Sequence, residues 1–302
     1  TPDVSSTKHR LLVKSNASSS MAVSPDGNLA VAVNPDSDSI TLIDAITLES
    51  VTEISVGDNP RTVSITPDSR NALVTNYDSA TLSVIDLKQG KEIAQYGVGH
   101  MPYGEVTNGP HGFITEFGIG SVSVIDVNTG ELLTRIQVDP FPSGIALSHN
   151  AEKLLITHLF TGKITVIDVP THTIIGLAST GSETNLSQFI VIDEEGEKAY
   201  IPQTRSNTTN TAPLFDTTVF PIVNVLDLDE LHLVTKERIT LDTADKPVNM
   251  PFSVALSPTK HVLYLANAGS DNVSVIDLRT NRGLANLTVG SNPRGIAIVP
   301  DE

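Results

Sequence analysis

The sequence predicts an all-β propeller of four-stranded antiparallel blades: six full blades, and an incomplete seventh closed by the N- and C-terminal strands. Three recurring markers carry that expectation. A strand ending of Val-Ile-Asp type falls at Asp44, Asp86, Asp126, Asp168, Asp227 and Asp277, and the first three intervals are 42, 40 and 42 residues. The preceding strand ends at Asn34, Asn76, Glu116, His158, Gln203 and Asn267, in five repeats ten residues before the Asp. The third marker opens most repeats with Pro, a short apolar strand and a turn, as in Pro60-Arg-Thr-Val-Ser-Ile-Thr-Pro-Asp68. Self-similarity at 40-odd residues with four short strands per unit is the pattern of a propeller, and a β-sandwich does not explain so regular a period.

The second repeat serves as template. Its strands read a (62–66), b (72–76), c (81–86) and d (91–96). Apolar and polar residues alternate most clearly in strand c, as in Ser121-Val-Ser-Val-Ile-Asp126. Pro presets the first central position of a turn, Asp suits turns, and Gly takes positive φ, as in Ser24-Pro-Asp-Gly27. The strand-c aspartates are read as partners of the c–d turn. No glycine-rich turn or helix follows strand c, which excludes a Rossmann unit. The repeats run over 19–59, 60–101, 102–141, 142–184, 185–250 and 251–292, within one domain spanning residues 1–302. A partial blade would join 8–14 to 293–302. Its strands b and c are missing, so the reading favours a chain cut from a longer protein over six-bladed closure or completion by a partner strand. In the fifth repeat Gln203 and Asp227 are 24 residues apart, an insertion of about fourteen over 204–217.

Composition narrows the function classes. Aromatics make up 4% of the 302 residues and Trp is absent, so Val, Ile, Leu and Ala must build the core. The net charge of −16 repels phosphate backbones, and nucleic acid is not an expected partner. No cysteine is present, which removes disulfides, thiolate zinc sites and haem attachment within the chain. No stretch approaches the roughly 18 apolar residues of a membrane span, so membrane insertion is not expected.

The Val-Thr-Asn76 and Val-Ile-Asp86 endings, with Pro60-Arg61 and Ser24-Pro-Asp-Gly27 between such markers, resemble the YVTN repeats of seven-bladed propellers. The resemblance covers residues 9–302. It implies a prokaryotic periplasmic or cell-surface protein. Two longer stretches, 202–207 with 214–221 and 241–251, look like a subgroup fused to a di-haem cytochrome domain similar to bacterial peroxidases. The haem motif Cys-x-x-Cys-His is absent, so that activity does not transfer. A c-type cytochrome domain is the partner that the resemblance implies.

In a propeller the d–a and b–c connections share one face, which is the expected binding face. Residues just after the opening Pro ring the channel mouth there. Arg61, Tyr103, Gln188, Phe252 and Arg294 are the expected ligand-binding residues, and the two arginines suit a carboxylate or phosphate. Glu116 and His158 depart from the repeat's Asn on adjacent blades. They are candidates for a metal ion or an acid–base pair, against repeat drift that keeps a turn hydrogen bond. Leu214, Phe215 and Phe220 at the end of the insertion are candidates for docking a partner domain.

The expected function is therefore an extracytoplasmic binding or scaffold module for a protein domain or small ligand. Its alternatives are a metal-dependent lyase or hydrolase with its site at the channel mouth, and a structural cell-surface repeat protein. No cofactor other than such a metal ion is evident.

Overall fold

Each repeat forms one sheet whose strands b and c are buried on both faces between neighbouring sheets, as in blades 2 and 3. The computed structural model describes residues 17–193, 195–206, 219–241, 248–257 and 261–299. Six antiparallel sheets follow one another around a propeller. Blade 1 holds Met21–Val23, Leu29–Asn34, Ser39–Asp44 and Ser50–Ser55 as strands a to d. Blade 2 holds Pro60–Ile65, Asn71–Asn76, Thr81–Asp86 and Lys91–Gly97. Blade 3 holds Pro102–Thr107, His111–Glu116, Ser121–Asp126 and Leu132–Gln137. Blade 4 holds Pro142–Leu147, Lys153–His158, Lys163–Asp168 and Thr173–Ser179. Blade 6 holds Pro251–Ser257, Val262–Asn267, Asn272–Asp277 and Arg282–Thr288. The template strands thus differ from observation by no more than two residues at an end.

Blade 5 departs from the pattern. Its b and c strands, Lys198–Ser206 and Val219–Asp227, run nine residues each, and Thr204–Ser206 pairs with Val219–Pro221. The start of the predicted insertion therefore continues strand b beyond the blade. Its outer and inner strands are broken into short pieces.

The core lies between blades. Leu82 and Val84 of blade 2 pack with Ile114 and Ile125 of blade 3. Val74 and Ile85 point the other way and pack with Val31, Ile40 and Leu42 of blade 1. The period of two therefore reads as two buried faces. A bulge between strands c and d recurs in five blades, for example at Val84/Ile85 and Val275/Ile276, and adds twist to each sheet.

The Thr of the strand-b ending joins blades. Thr75 Oγ1 donates to Tyr103 O at 2.8 Å, Thr115 Oγ1 to Ser143 O at 2.8 Å, and Thr157 Oγ1 to Ser187 O at 2.7 Å. The strand-c aspartates cap the c–d turns as expected: Asp44 accepts from the Ile46 and Thr47 amides, and Asp126 from those of Asn128 and Thr129. These turn bonds hold both carboxyls below the usual range.

Two features go beyond the repeat. Residues 17–19 cross the channel. Ser18 N donates to Ile145 O of blade 4 at 2.8 Å, and Val63 N of blade 2 donates to Ser19 O at 2.8 Å. Residues 293–299 run beside blade 1, where Ala297 and Val299 pack on Val23, Ala30 and Ala45, and Ser20 Oγ donates to Arg294 O at 2.5 Å. This segment stands where a seventh inner strand would begin, but no ladder pairing forms among the described residues. The predicted strand over 8–14 lies outside the described residues. Among those residues no helix is long and apolar enough to cross a membrane.

Candidate functional site

The face that carries the d–a and b–c loops is fixed by one recurring bond. The residue before strand a accepts from the first residue of the b–c loop of the same blade: Tyr77 N to Asn59 O at 3.0 Å, Phe117 N to Met101 O at 3.0 Å, Leu159 N to Phe141 O at 3.0 Å, and Ala268 N to Met250 O at 2.9 Å. The four accepting residues and those at the equivalent position, Leu186 and Asn292, are left-handed, with φ between 51° and 60°. Asn tolerates this conformation well, whereas bulky side chains do not. Four consecutive blades nevertheless place Met, Phe, Leu and Met there. Phe141 and Met250 are 43% and 45% exposed, so apolar side chains sit on the loop face at strained backbone positions.

Five aromatic residues gather on the same face. Tyr103 and Tyr77 meet edge-on at 6.2 Å between ring centroids, and Phe117 lies 5.9 Å from Tyr103 and 6.1 Å from Tyr77. Phe117 touches Phe141 at 5.2 Å, and Phe141 touches Phe160 at 5.1 Å. The result is a continuous strip across blades 2, 3 and 4, from a buried tyrosine at the channel mouth to Phe160, which is 55% exposed. Sequence reasoning named only Tyr103 in this strip. The signal it missed was the first residue after the strand-b ending, which is Tyr77 in one blade and Phe117 in the next.

At the channel mouth the structure brings together four of the five expected ligand-binding residues. Arg61, Tyr103, Phe252 and Arg294 line one cavity of about 300 Å³, and Phe189 closes its floor with them. Gln188 stands behind and accepts from the Tyr103 hydroxyl at 2.7 Å. Burial pushes the Tyr103 phenol up to about 12, so it is neutral at physiological pH. Arg61 lies 4.7 Å above the Tyr77 ring and Arg294 5.6 Å above the Phe252 ring.

The strand-b endings behave as one structural series. Asn76 Nδ2 donates to Thr81 Oγ1 and Ser83 Oγ of strand c, and Asn267 Nδ2 to Asn272 Oδ1 and Ser274 Oγ. Glu116 accepts from Ser121 and Ser123 at the same two offsets, and also from Gly99 N and both Nε and Nη2 of Arg135. Burial pushes its carboxyl up, but Arg135, the two serines and the Gly99 amide together hold it below its ordinary value. Gln203 accepts from Asn224 Nδ2 at 2.6 Å.

His158 Nε2 lies 2.9 Å from Thr165 Oγ1 and Nδ1 3.1 Å from Pro140 O. A carbonyl only accepts, so Nδ1 carries the proton and Nε2 receives the Thr165 hydroxyl. Burial lowers the His158 pKa and keeps the ring neutral. Glu116 and His158 are each engaged by their own blade and by the d–a loop that leads into it, and a metal would have to displace those bonds. Among the described residues no three His, Asp or Glu side chains gather as a metal site. Both residues make the strand-c hydrogen bonds of the turn-bond alternative.

Leu214 and Phe215 lie outside the described residues. Phe220 sits in the extended strand c of blade 5, opposite Arg205. His100, in the d–a loop, stands beside Gly118 on the loop face, where its carbonyl accepts from the Gly118 amide at 3.1 Å.

A family model described as lactonase, 7-bladed beta-propeller, matches residues 2–94, which hold blade 1 and most of blade 2. No curated protein sequence matches the chain. Among solved structures, hydrazine synthase of Kuenenia stuttgartiensis is similar over 99% of this chain and 94% of that one, with a TM-score of 0.85 and 19% identity. A functionally unknown protein from Desulfotomaculum acetoxidans DSM 771 is similar over 94% and 90%, with a TM-score of 0.75 and 16% identity. At such identities the likeness speaks for the fold alone: the chain has a β-propeller fold, similar to that of a hydrazine synthase chain.

Proposed function

We propose that this chain is a docking module of the YVTN-repeat kind, which receives a partner protein domain on its d–a/b–c loop face outside the cytoplasm. The observation that carries the reading is the aromatic strip from Tyr103 to Phe160, which ends in half-exposed rings rather than in the core. Exposed contiguous apolar surface of this kind marks interaction sites in soluble proteins. Holding Phe141 and Met250 in left-handed backbone costs stability that docking would offset.

Charge supports a basic partner. Asp36, Asp38, Asp58 and Asp78 are exposed in the b–c and d–a loops of blades 1 and 2, on the face that carries the strip. A lysine-rich surface around an apolar patch complements that arrangement and is steered to it. The recurrent Val-Thr-Asn and Val-Ile-Asp endings and the two stretches similar to cytochrome-fused propellers favour a c-type cytochrome domain among basic partners. The absence of cysteine is compatible with an oxidising compartment. The extended hairpin of blade 5, with Phe220 on it, would widen the same docking surface.

Titration of the chain with a lysine-rich c-type cytochrome tests the reading. Binding is expected in the micromolar range at low salt, weakening as salt rises. A Phe141→Ser/Phe160→Ser double variant is expected to bind on the order of tenfold more weakly. A Leu48→Ser variant in a c–d turn, on the opposite face, should bind as the parent does. Absence of binding, or equal loss in both variants, removes the reading.

A further inference from the structure

The cavity at the channel mouth has a charge that the rest of the molecule does not. The chain carries 35 Asp and Glu against 19 Lys and Arg, yet the described residues lining this cavity include two arginines and no carboxylate. Arg61 makes no hydrogen bond or ion pair among the described residues. Its guanidinium is held by the Tyr77 face at 4.7 Å and the Tyr103 face at 5.9 Å, and its Nε is buried without a partner. Cation–π contact fixes the plane of a guanidinium but leaves its N–H edge unspent, and a buried donor of a charged group left unmet is costly. Arg294 is placed likewise over Phe252. In the amide orientation that satisfies both groups, Asn292 Oδ1 accepts from its Nε and Nη2 at 3.2 and 3.1 Å. Its Nη1 remains for a ligand. Arg61, Arg294 and Tyr103 line the same cavity.

Beyond the two arginines the lining is largely apolar, with Ser20 and Tyr103 as its polar side chains. Phe189, Phe252, Met21 and Val33 supply most of it. The Tyr103 hydroxyl has spent its proton on Gln188. A phosphate would ask for more donors than this wall offers, while a carboxylate needs one guanidinium fork and an apolar bed for the carbon body. We infer that this cavity is a binding site for a small organic carboxylate with an aromatic or branched body. Arg61 takes the carboxylate in two-point fashion, Arg294 adds a second positive contact, and Phe189 and Phe252 hold the body. A volume of about 300 Å³ is at the small end for ligand pockets and suits a compound of about ten non-hydrogen atoms. The site shares Tyr103 with the buried end of the strip, but its lining does not include Phe141 or Phe160 at the exposed end.

Titration of the intact chain with phenylacetate, followed by NMR and calorimetry, tests the inference. Saturable binding is expected. The neutral isostere 2-phenylethanol should bind at least about tenfold more weakly, and inorganic phosphate more weakly than phenylacetate. Arg61→Gln and Arg294→Gln should each reduce phenylacetate affinity on the order of tenfold to a hundredfold, the worth of a charge-assisted hydrogen bond. Arg294 is exposed, so its variant decides the matter if Arg61→Gln fails to fold. Phe160→Ser should leave phenylacetate binding unchanged while weakening docking, which separates a failure of this inference from a failure of the docking reading. Four results would overturn it: no saturable binding, equal affinity for the alcohol, tighter binding of phosphate, or unchanged affinity in both folded arginine variants.

Discussion

Two buried glutamates one strand apart show how environment sets a residue's role. Glu116 sits among five donated hydrogen bonds and stays ionised. Glu105, on the inner strand of the same blade, receives only Ser64 on one oxygen, and its Oε1 has no partner. Burial raises the Glu105 pKa from 4.5 to about 8, and the Ser64 bonds offset only part of that. The folded state therefore holds a proton that the unfolded chain releases at about its ordinary value. Stability is full below that value and is lost as pH rises towards about 8. Denaturant unfolding of the parent should accordingly show a loss on the order of a few kcal/mol between about pH 5 and pH 8. Glu105→Gln should remove that slope, and a parent whose stability is flat over the range would contradict the assignment.

Glu116 behaves in the opposite sense. Its lowered pKa supports the fold at neutral pH, and that support is lost as the medium is acidified below its ordinary 4.5. Arg135→Gln should shift the acid unfolding midpoint upward, measured by circular dichroism against pH. The sequence reading did not find this pairing, although its signal is there: Arg135 lies 19 residues after Glu116 as Gln95 does after Asn76. A basic residue opposite a substituted acid within one repeat signals compensation inside the blade. Glu105 left no such trace, since its neighbour Ser64 belongs to another repeat.

Strands were the most legible part of the chain, because each carries its own turn residues and the repeat supplies independent copies. The Thr of the strand-b ending was legible as a motif, but its task was not: it reaches across to the next blade. Thr115 Oγ1 accepts from Gly104 N at 2.8 Å and donates to Ser143 O at 2.8 Å. Thr115→Val keeps the shape and strands both backbone groups, so urea unfolding should show a loss of about 2 kcal/mol. A loss below about 0.5 kcal/mol would mean that apolar packing alone holds these blades together. The left-handed position before strand a invites the reverse experiment. Met250→Asn should raise stability by about 0.5–1 kcal/mol, because Asn accepts that backbone and the Met side chain is half exposed. No single repeat shows this position as unusual, since only its conformation makes Met, Phe and Leu costly there.

Across the whole molecule, repeats set the ring, and what lies outside the repeat sets the channel. Residues 17–19 cross from blade 4 to blade 2, a placement with no template in the sequence, whereas residues 293–299, which carry the opening marker of a further repeat, lie along blade 1. The channel-mouth residues Arg61, Tyr103, Phe252 and Arg294 were legible because they share one position in the repeat. The aromatic strip was not. Tyr77 and Phe117 open b–c loops, Phe160 is the second residue of one, and Phe141 precedes a strand a, so only the curvature of the ring joins them. Docking through that strip is the central claim. Hydrogen exchange of the chain with and without a lysine-rich c-type cytochrome tests it most directly. The account predicts slowed exchange confined to the loops around Tyr77, Phe117, Phe141 and Phe160, with the c–d turns at Asp44 and Asp126 unchanged. Protection at those turns or along the outer strands, or no protection anywhere, would contradict it.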